Sequence, residues 1–326
     1  MSLVKVFSTA ASLHVYSVGV GILLFLWFWY RDSKRRSKVF LPPGPRGLPI
    51  VGNLFQLGEL PHHTLAHLAK KYGPIMHLRL GSVPTVVVSS PAMAREFLKT
   101  HDLVFANRPK TASAKYMGYD GRDIFFSNYG DHWRQMRKLC TLELFTAKRM
   151  ETYRGVREEE VSAMICSIFS TARSELGVDL RPSLNVLTQN IICRMFGSRT
   201  YSEDREAFQE MVKERFVLGG AFCIGDYIPF LRCLDLGGFH RRMKRNHEIF
   251  DDFAVKVIEE HIQLRRTSKL GVAQPERVKD LVDVLLDMAE QDQRITTLYI
   301  KTVILDMVTA AMETSATTIE WAMSEL

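Results

Sequence analysis

The chain has 326 residues, of which 46% are hydrophobic and 24% are charged, and its formal net charge is +7. This length and composition exclude a disordered chain and allow one large core or two smaller ones. A positive balance favours either a nucleic acid or a membrane surface as partner. The densest basic run, residues 31–38, directly follows an apolar segment, and no zinc-finger spacing or basic–aromatic RNA-binding motif occurs. We therefore expect a membrane partner and no nucleic acid.

The first predicted element is an apolar segment at residues 11–30 that ends in aromatic side chains. About 20 such residues span a bilayer as a helix, and aromatic residues sit at the membrane interface. Five cations follow it, whereas only Lys5 precedes it, so the positive-inside rule predicts a cytosolic body. Residues 1–38 are thus predicted to be a single membrane anchor with its basic stop-transfer segment. A cleaved signal peptide is the alternative, but it needs basic residues before the apolar run.

A proline-rich stretch, residues 39–50, follows the anchor. Proline fixes φ and donates no backbone hydrogen bond, so this stretch is predicted to be a stiff hinge. The body, residues 51–326, begins with one helix and a hairpin of two strands around Gly81–Pro84. These three elements are Pro61–Tyr72, Ile75–Leu80 and Thr85–Ser89.

The rest of the body has helical periodicity. The predicted helices are Pro91–Thr100, Gly130–Cys140, Ala147–Glu175, Val186–Phe196, Arg205–Leu218, Gly238–Arg266, Lys279–Glu290 and Thr296–Leu326. The expected fold class is therefore mainly α with a small amino-terminal β hairpin. No Gly, Asn or Pro caps the last periodic stretch, so we expect the chain to stop within a helix of an incomplete domain. Its five cysteines include no C-x-x-C pair, which predicts buried thiols in a reducing compartment.

Four segments and the anchor resemble the plant microsomal cytochrome P450 family. They are Leu41–Pro45, similar to the family's hinge; Phe105–Pro109, similar to F-x-x-R-P; Gly130–Lys138, similar to the W-x-x-x-R signature; and Ala310–Ser315, similar to A/G-G-x-D/E-T-T/S. The resemblance implies a P450 fold truncated after the family's I-helix, with haem as cofactor. It also implies monooxygenase activity, NADPH–cytochrome P450 reductase as electron donor, and attachment to the endoplasmic reticulum membrane.

Trp133 and Arg137 are four residues apart and therefore share a helix face. A guanidinium binds a carboxylate through two hydrogen bonds, and an indole N–H donates one. The spacing alone equally describes a core tryptophan beside a surface arginine. The resemblance implies that this pair binds a haem propionate and that Arg108 reaches the other propionate.

Glu313 and Thr314 lie within an apolar helical run, where an acid beside a hydroxyl needs hydrogen-bond partners. The pattern alone also fits a buried threonine beside a solvent-facing acid. The resemblance implies that this acid–alcohol pair delivers protons for oxygen cleavage. It also implies that Ala310 and Ala311 line the oxygen groove above haem, where Ala311 replaces the usual glycine.

The haem-ligating cysteine motif, F-x-x-G-x-R-x-C-x-G, does not occur in these 326 residues, so no metal ligand is predicted. Phe216–Gly225 matches its phenylalanine, glycines and cysteine, but Ala221 replaces the arginine, and we interpret this match as coincidence. A non-catalytic, membrane-anchored helical protein is therefore the alternative to a monooxygenase.

Substrate contacts are expected from Thr111–Phe126, from Phe216–Leu231 and from the helix before Glu313. Cys140–Phe145 and Ile319–Leu326 are similar to segments of plant phenylpropanoid and flavonoid hydroxylases. This similarity implies a small, apolar, aromatic secondary metabolite as substrate.

Overall fold

The computed structural model describes residues 40–173, 177–197, 205–269 and 279–326. These residues form two compact units. The first comprises the described residues up to Phe105 together with Ile224–Leu234, and the second comprises the remainder. The predicted anchor, residues 1–38, lies outside the described residues. No helix in the described ranges has the length and apolar character needed to cross a membrane.

The first unit is built around the predicted hairpin. Strands β1 (Ile75–Leu80) and β2 (Val83–Val88) pair antiparallel around a turn in which Gly81 has φ +60°. Glycine adopts this left-handed conformation without the Cβ clash of other residues. The second strand begins two residues earlier than predicted, because Pro84 pairs in register with Arg79 at the edge of this two-stranded sheet.

Short helices complete the first unit. Helix α1 begins with proline at its first position, where the missing N–H costs nothing, and ends at Gly73. The α-helices of this unit are α1 (Pro61–Tyr72), α2 (Pro91–Arg95), α3 (Asp102–Phe105) and α10 (Ile224–Tyr227). Short 3-10 helices occur at Leu54–Gln56 and Pro229–Leu234, and Glu96–Thr100 extends α2 as a π-helical turn.

The described residues of the second unit form helices joined by loops and contain no strand. Its helices are α4 (Ala112–Tyr116), α5 (Asp131–Leu139), α6 (Ala147–Thr152), α7 (Arg154–Ala172), α8 (Leu180–Gly197), α9 (Arg205–Gly219), α11 (Phe239–Lys269), α12 (Leu281–Gln291) and α13 (Thr297–Ser324). Helix α13 packs most extensively against α8 and also contacts α9, α11 and α12. Its residues Val303, Ile304, Leu305 and Val308 are at most 1% exposed and lie in the main core.

The predicted fold class, mainly α with one small amino-terminal hairpin, is confirmed. Two helices differ most from their predicted extents. The helix predicted at Ala147–Glu175 is interrupted at Tyr153, whose buried side chain donates a hydrogen bond to the carbonyl of Lys279 at 3.2 Å. Helix α8 begins at Leu180 rather than Val186, because Pro182 is tolerated within a first helical turn.

Candidate active site

Trp133 and Arg137 lie on α5, which follows Gly130. The indole nitrogen of Trp133 donates a hydrogen bond to the carbonyl of Ile124 at 3.2 Å. The guanidinium carbon of Arg137 lies 5.2 Å from the centroid of the indole ring, so the two side chains share a face as their spacing predicts. Trp133 is half-buried and Arg137 is exposed. The arginine therefore stacks on the indole with its donors still accessible.

Arg108 reaches the same loop from the other side. Its Nε donates to the carbonyl of Phe125 at 3.3 Å, and its backbone N–H donates to Oδ1 of Asn128 at 2.9 Å. Because Ile124 and Phe125 are consecutive, the structure brings the predicted haem-binding side chains of Trp133 and Arg108 to adjacent carbonyls. Arg137 lies close to this pair because its guanidinium stacks on the Trp133 indole.

This donor set fits the carboxylates of a haem group. Two guanidinium groups and one indole N–H are donors that accept nothing. Trp133 and Arg108 are bonded to neutral backbone carbonyls, which are weaker acceptors than a carboxylate. A group with two carboxylates would therefore find charge-complementary donors at this loop.

Glu313 and Thr314 lie on α13. The hydroxyl of Thr314 donates back to the carbonyl of Ala310, one turn earlier, and the helix continues through this position. Ala310 and Thr314 are exposed, whereas Ala311 is half-buried. Thr314 and the two alanines are therefore all at least partly accessible on this helix.

Glu313 does not simply face solvent. Its carboxylate forms an ion pair with Arg181, from the first turn of α8, and is 28% exposed. Arg181 also pairs with Glu320 and donates to the hydroxyl of Thr317 at 3.1 Å. Sequence reasoning missed Arg181, which is 132 residues from Glu313 and belongs to no local motif.

A buried charged group lies between the loop and α13. Asp306, on α13, accepts a hydrogen bond from the backbone N–H of Ile124 at 2.7 Å. Asp123 and Arg215 are its charged neighbours, and all three are at most 8% exposed. Burial raises the pKa of Asp306 well above its ordinary value, raises that of Asp123 to about 6, and lowers that of Arg215 to about 10. A single acid in the apolar run 303–308 was the available sequence signal.

The cysteines occupy ordinary structural positions. Cys223, in the partial match to the haem-ligating motif, is buried against Ala112, Met117 and other apolar side chains. Burial raises the pKa of Cys140 to about 11 and that of Cys193 to about 12, so both are protonated thiols at neutral pH. Contrary to the expectation of five buried thiols, Cys166 and Cys233 are exposed.

Comparison with known proteins matches a cytochrome P450 family model to residues 42–326. The chain is 46% identical to cytochrome P450 750A1 of Pinus taeda and 44% identical to desmethyl-deoxy-podophyllotoxin synthase of Sinopodophyllum hexandrum, each over 94% of this chain and 60% of the relative. It is 37% identical to a flavonoid 3'-monooxygenase of Petunia hybrida, over 97% of this chain and 62% of the relative. The chain therefore spans about three fifths of the length of these relatives.

Proposed function

Since the chain belongs to the cytochrome P450 family, we propose that it serves in a haem-dependent monooxygenase that hydroxylates a small aromatic metabolite. One oxygen atom of O2 enters a C–H bond of the substrate, and the other leaves as water with two electrons and two protons. The electrons come from NADPH through cytochrome P450 reductase. The flavonoid 3'-monooxygenase among the relatives supports an aromatic substrate. No comparison favours the alternative of a non-catalytic membrane protein.

The convergence of Trp133, Arg108 and Arg137 at one loop carries this proposal. These residues would hold the carboxylates of haem: Arg108 and Arg137 each have several N–H donors, and the single N–H of the Trp133 indole would exchange the Ile124 carbonyl for a carboxylate, which is the stronger acceptor. When bound, haem supplies the iron at which dioxygen is activated. Trp133 and Arg137 make the main contact, and Arg108 contributes from the neighbouring carbonyl.

On the protein side, Glu313 and Thr314 handle protons. A carboxyl group near a hydroxyl can relay a proton between solvent and the hydroxyl, which is general acid catalysis. Thr314 donates to Ala310 at rest and can turn its hydroxyl elsewhere, because a hydroxyl rotates about its bond. Arg181 holds the Glu313 carboxylate through an ion pair.

The same proposal includes attachment to the endoplasmic reticulum membrane through residues 11–30. It places the body on the cytosolic side, where the reductase partner is reached. Support comes from the apolar run and the cations that follow it.

Haem titration of the chain in detergent tests the cofactor contacts. We expect Soret absorption to report binding, and Trp133→Phe or Arg137→Gln to weaken the affinity about tenfold, the effect of losing a charge-assisted hydrogen bond. Trp321→Phe and Arg134→Gln are matched controls, because both residues are exposed. A wild-type chain that takes up no haem, or equal affinities for all four variants, would contradict the proposal.

A further inference from the structure

Three side chains donate hydrogen bonds to the loop at residues 122–126, which we call the carbonyl loop. His132 donates to the carbonyl of Arg122 at 2.8 Å, Trp133 donates to that of Ile124, and Arg108 donates to that of Phe125. Two of these three donors are the proposed haem contacts. The position of the carbonyl loop therefore fixes where the indole and the guanidinium stand.

Two buried carboxylates fix the carbonyl loop from its inner side. Asp306 accepts from the N–H of Ile124 at 2.7 Å, and Asp123 accepts from the N–H of Phe126 at 2.9 Å. The Asp123 bond is local, within one turn of chain. Of the two carboxylates, Asp306 is the one that joins the loop to another element, because it lies on α13, two turns before Glu313.

Arg215 makes this arrangement of two buried acids possible. Its Nη2 donates to the carbonyl of Met117 at 2.6 Å, and its guanidinium lies 4.8 Å from the ring centroid of Phe250. Among the described residues, its Nη1 has no hydrogen-bond partner. A buried charge is stabilised only by opposite charge and hydrogen bonds, so this cation offsets the cost of burying Asp306 and Asp123.

We propose that Asp306 is a positioning residue that fixes the carbonyl loop and, through it, the haem-binding side chains of Trp133 and Arg108. A continuous path of hydrogen bonds runs from the Asp306 carboxylate to the Ile124 N–H, and from the Ile124 carbonyl to the Trp133 indole. The helix that carries Glu313 and Thr314 is thereby coupled to the haem contacts. The haem part of this inference rests on the proposed function.

Two variants separate the hydrogen bond from the ionisable carboxyl group. Asp306→Asn keeps a carbonyl oxygen that can accept from Ile124 but cannot ionise. Asp306→Ala removes both. Asp252→Ala is the matched control, because Asp252 is an exposed acid on α11.

Hydrogen–deuterium exchange of the full chain in detergent measures how well the carbonyl loop is protected, and haem titration measures the affinity for haem. We expect Asp306→Ala to speed exchange in peptides that cover residues 122–126 and to weaken haem affinity about tenfold. Asp306→Asn should restore slow exchange and bring the affinity to within about threefold of wild type, since one acceptor is retained. Unchanged loop exchange in Asp306→Ala, or faster exchange with unchanged haem affinity, overturns the proposal.

A further measurement needs no variant and covers the case in which Asp306→Ala fails to fold. Site-resolved exchange of the wild-type chain should show the Ile124 amide protected to the same degree as amides in the middle of α13. An Ile124 amide that exchanges as fast as an unbonded amide overturns the proposal. Absence of haem uptake by the wild-type chain contradicts the proposed function instead, and the exchange results still decide whether Asp306 fixes the loop.

Discussion

Arg181 is the single residue on which the acid of the proposed proton relay depends. It pairs with Glu313 and Glu320, which lie two helical turns apart on the same face of α13. Without this cation, two carboxylates would lie on the same face of α13 with no opposite charge between them. The Arg181 guanidinium is 30% exposed, so solvent screens part of the interaction.

We expect Arg181→Gln to lower the free energy of unfolding by about 1 kcal/mol, the upper end for a partly exposed ion-pair network. Arg181→Gln should lower the free energy of unfolding less in a Glu313→Gln background than in the wild type, because the two side chains interact directly. Urea denaturation at low and high salt measures both effects. Arg266→Gln is the control, since Arg266 is exposed and forms no ion pair among the described residues. Additive losses in the double variant would show that the Arg181–Glu313 pair contributes nothing.

Contacts between residues that are close in the chain could be predicted from the sequence, whereas contacts between distant residues could not. Trp133 with Arg137, and Thr314 with Ala310, are four residues apart, so helical periodicity alone places each pair together. The contacts of Glu313 with Arg181 and of Asp306 with Ile124 join residues far apart in the chain. No local pattern encodes them, although an acid in an apolar run does signal that some partner must exist.

At the level of elements, a buried ion pair joins α11 to the start of α12. His261 Nε2 lies 2.8 Å from Oδ2 of Asp280, and its Nδ1 donates to the carbonyl of Val257 at 2.7 Å. With Asp280 ionised, both partners are acceptors, so the protonated imidazole can donate from both of its nitrogens. Asp280 also caps α12 by accepting from the N–H of Asp283.

The protonation of His261 makes this joint sensitive to pH. Burial alone would lower the pKa of His261, but the hydrogen bond and charge of Asp280, with the Val257 carbonyl, outweigh it and raise the pKa above 6.5. The folded state therefore binds this proton more tightly than the unfolded state. Its contribution to stability is complete below pH 6.5 and is lost as the pH rises through the raised pKa.

We expect the wild-type chain to unfold more easily at alkaline pH than at pH 6, and His261→Gln to lose that pH dependence. His261→Ala should cost about 3 kcal/mol of unfolding free energy at pH 6, because it removes a buried cation that bonds directly to a buried carboxylate. Thermal or urea unfolding across the pH range measures this. His67→Gln is the control, since His67 lies on α1, in the other unit. If the stability of His261→Gln depends on pH as in the wild type, a group other than His261 causes that dependence.

Element boundaries were predictable where a residue marks them. Pro61 and Gly73 delimit α1 as predicted, because proline favours the first helical position and glycine the terminus. No Gly or Pro marks the break at Tyr153, whose side chain bonds to Lys279, 126 residues away in the chain. The π-helical turn at Cys140–Leu144, which continues α5, likewise has no local sequence signal.

For the whole molecule, the sequence asymmetry of charge around residues 11–30 predicts orientation in a membrane. Positive residues near a membrane-spanning segment stay on the cytoplasmic side. Five cations follow the segment within residues 31–38, and only Lys5 precedes it. The net charge of +7 belongs to the whole chain, including the body. The orientation therefore depends on where the cations lie relative to the apolar segment, and not on their total number.

We expect externally added protease to digest the body of the wild-type chain in intact microsomes, which places the body on the cytosolic side. Replacing the five cations by glutamine should leave part of the population inverted, with the body protected, because the charge difference across the segment disappears. These five are Arg31, Lys34, Arg35, Arg36 and Lys38. A matched control removes five cations from the body and should keep the wild-type orientation. Those five are Lys70, Lys71, Lys138, Lys148 and Arg266. Protection of the wild-type body, or a free amino terminus at about residue 30, would contradict the anchor, because a cleaved signal peptide yields a released body.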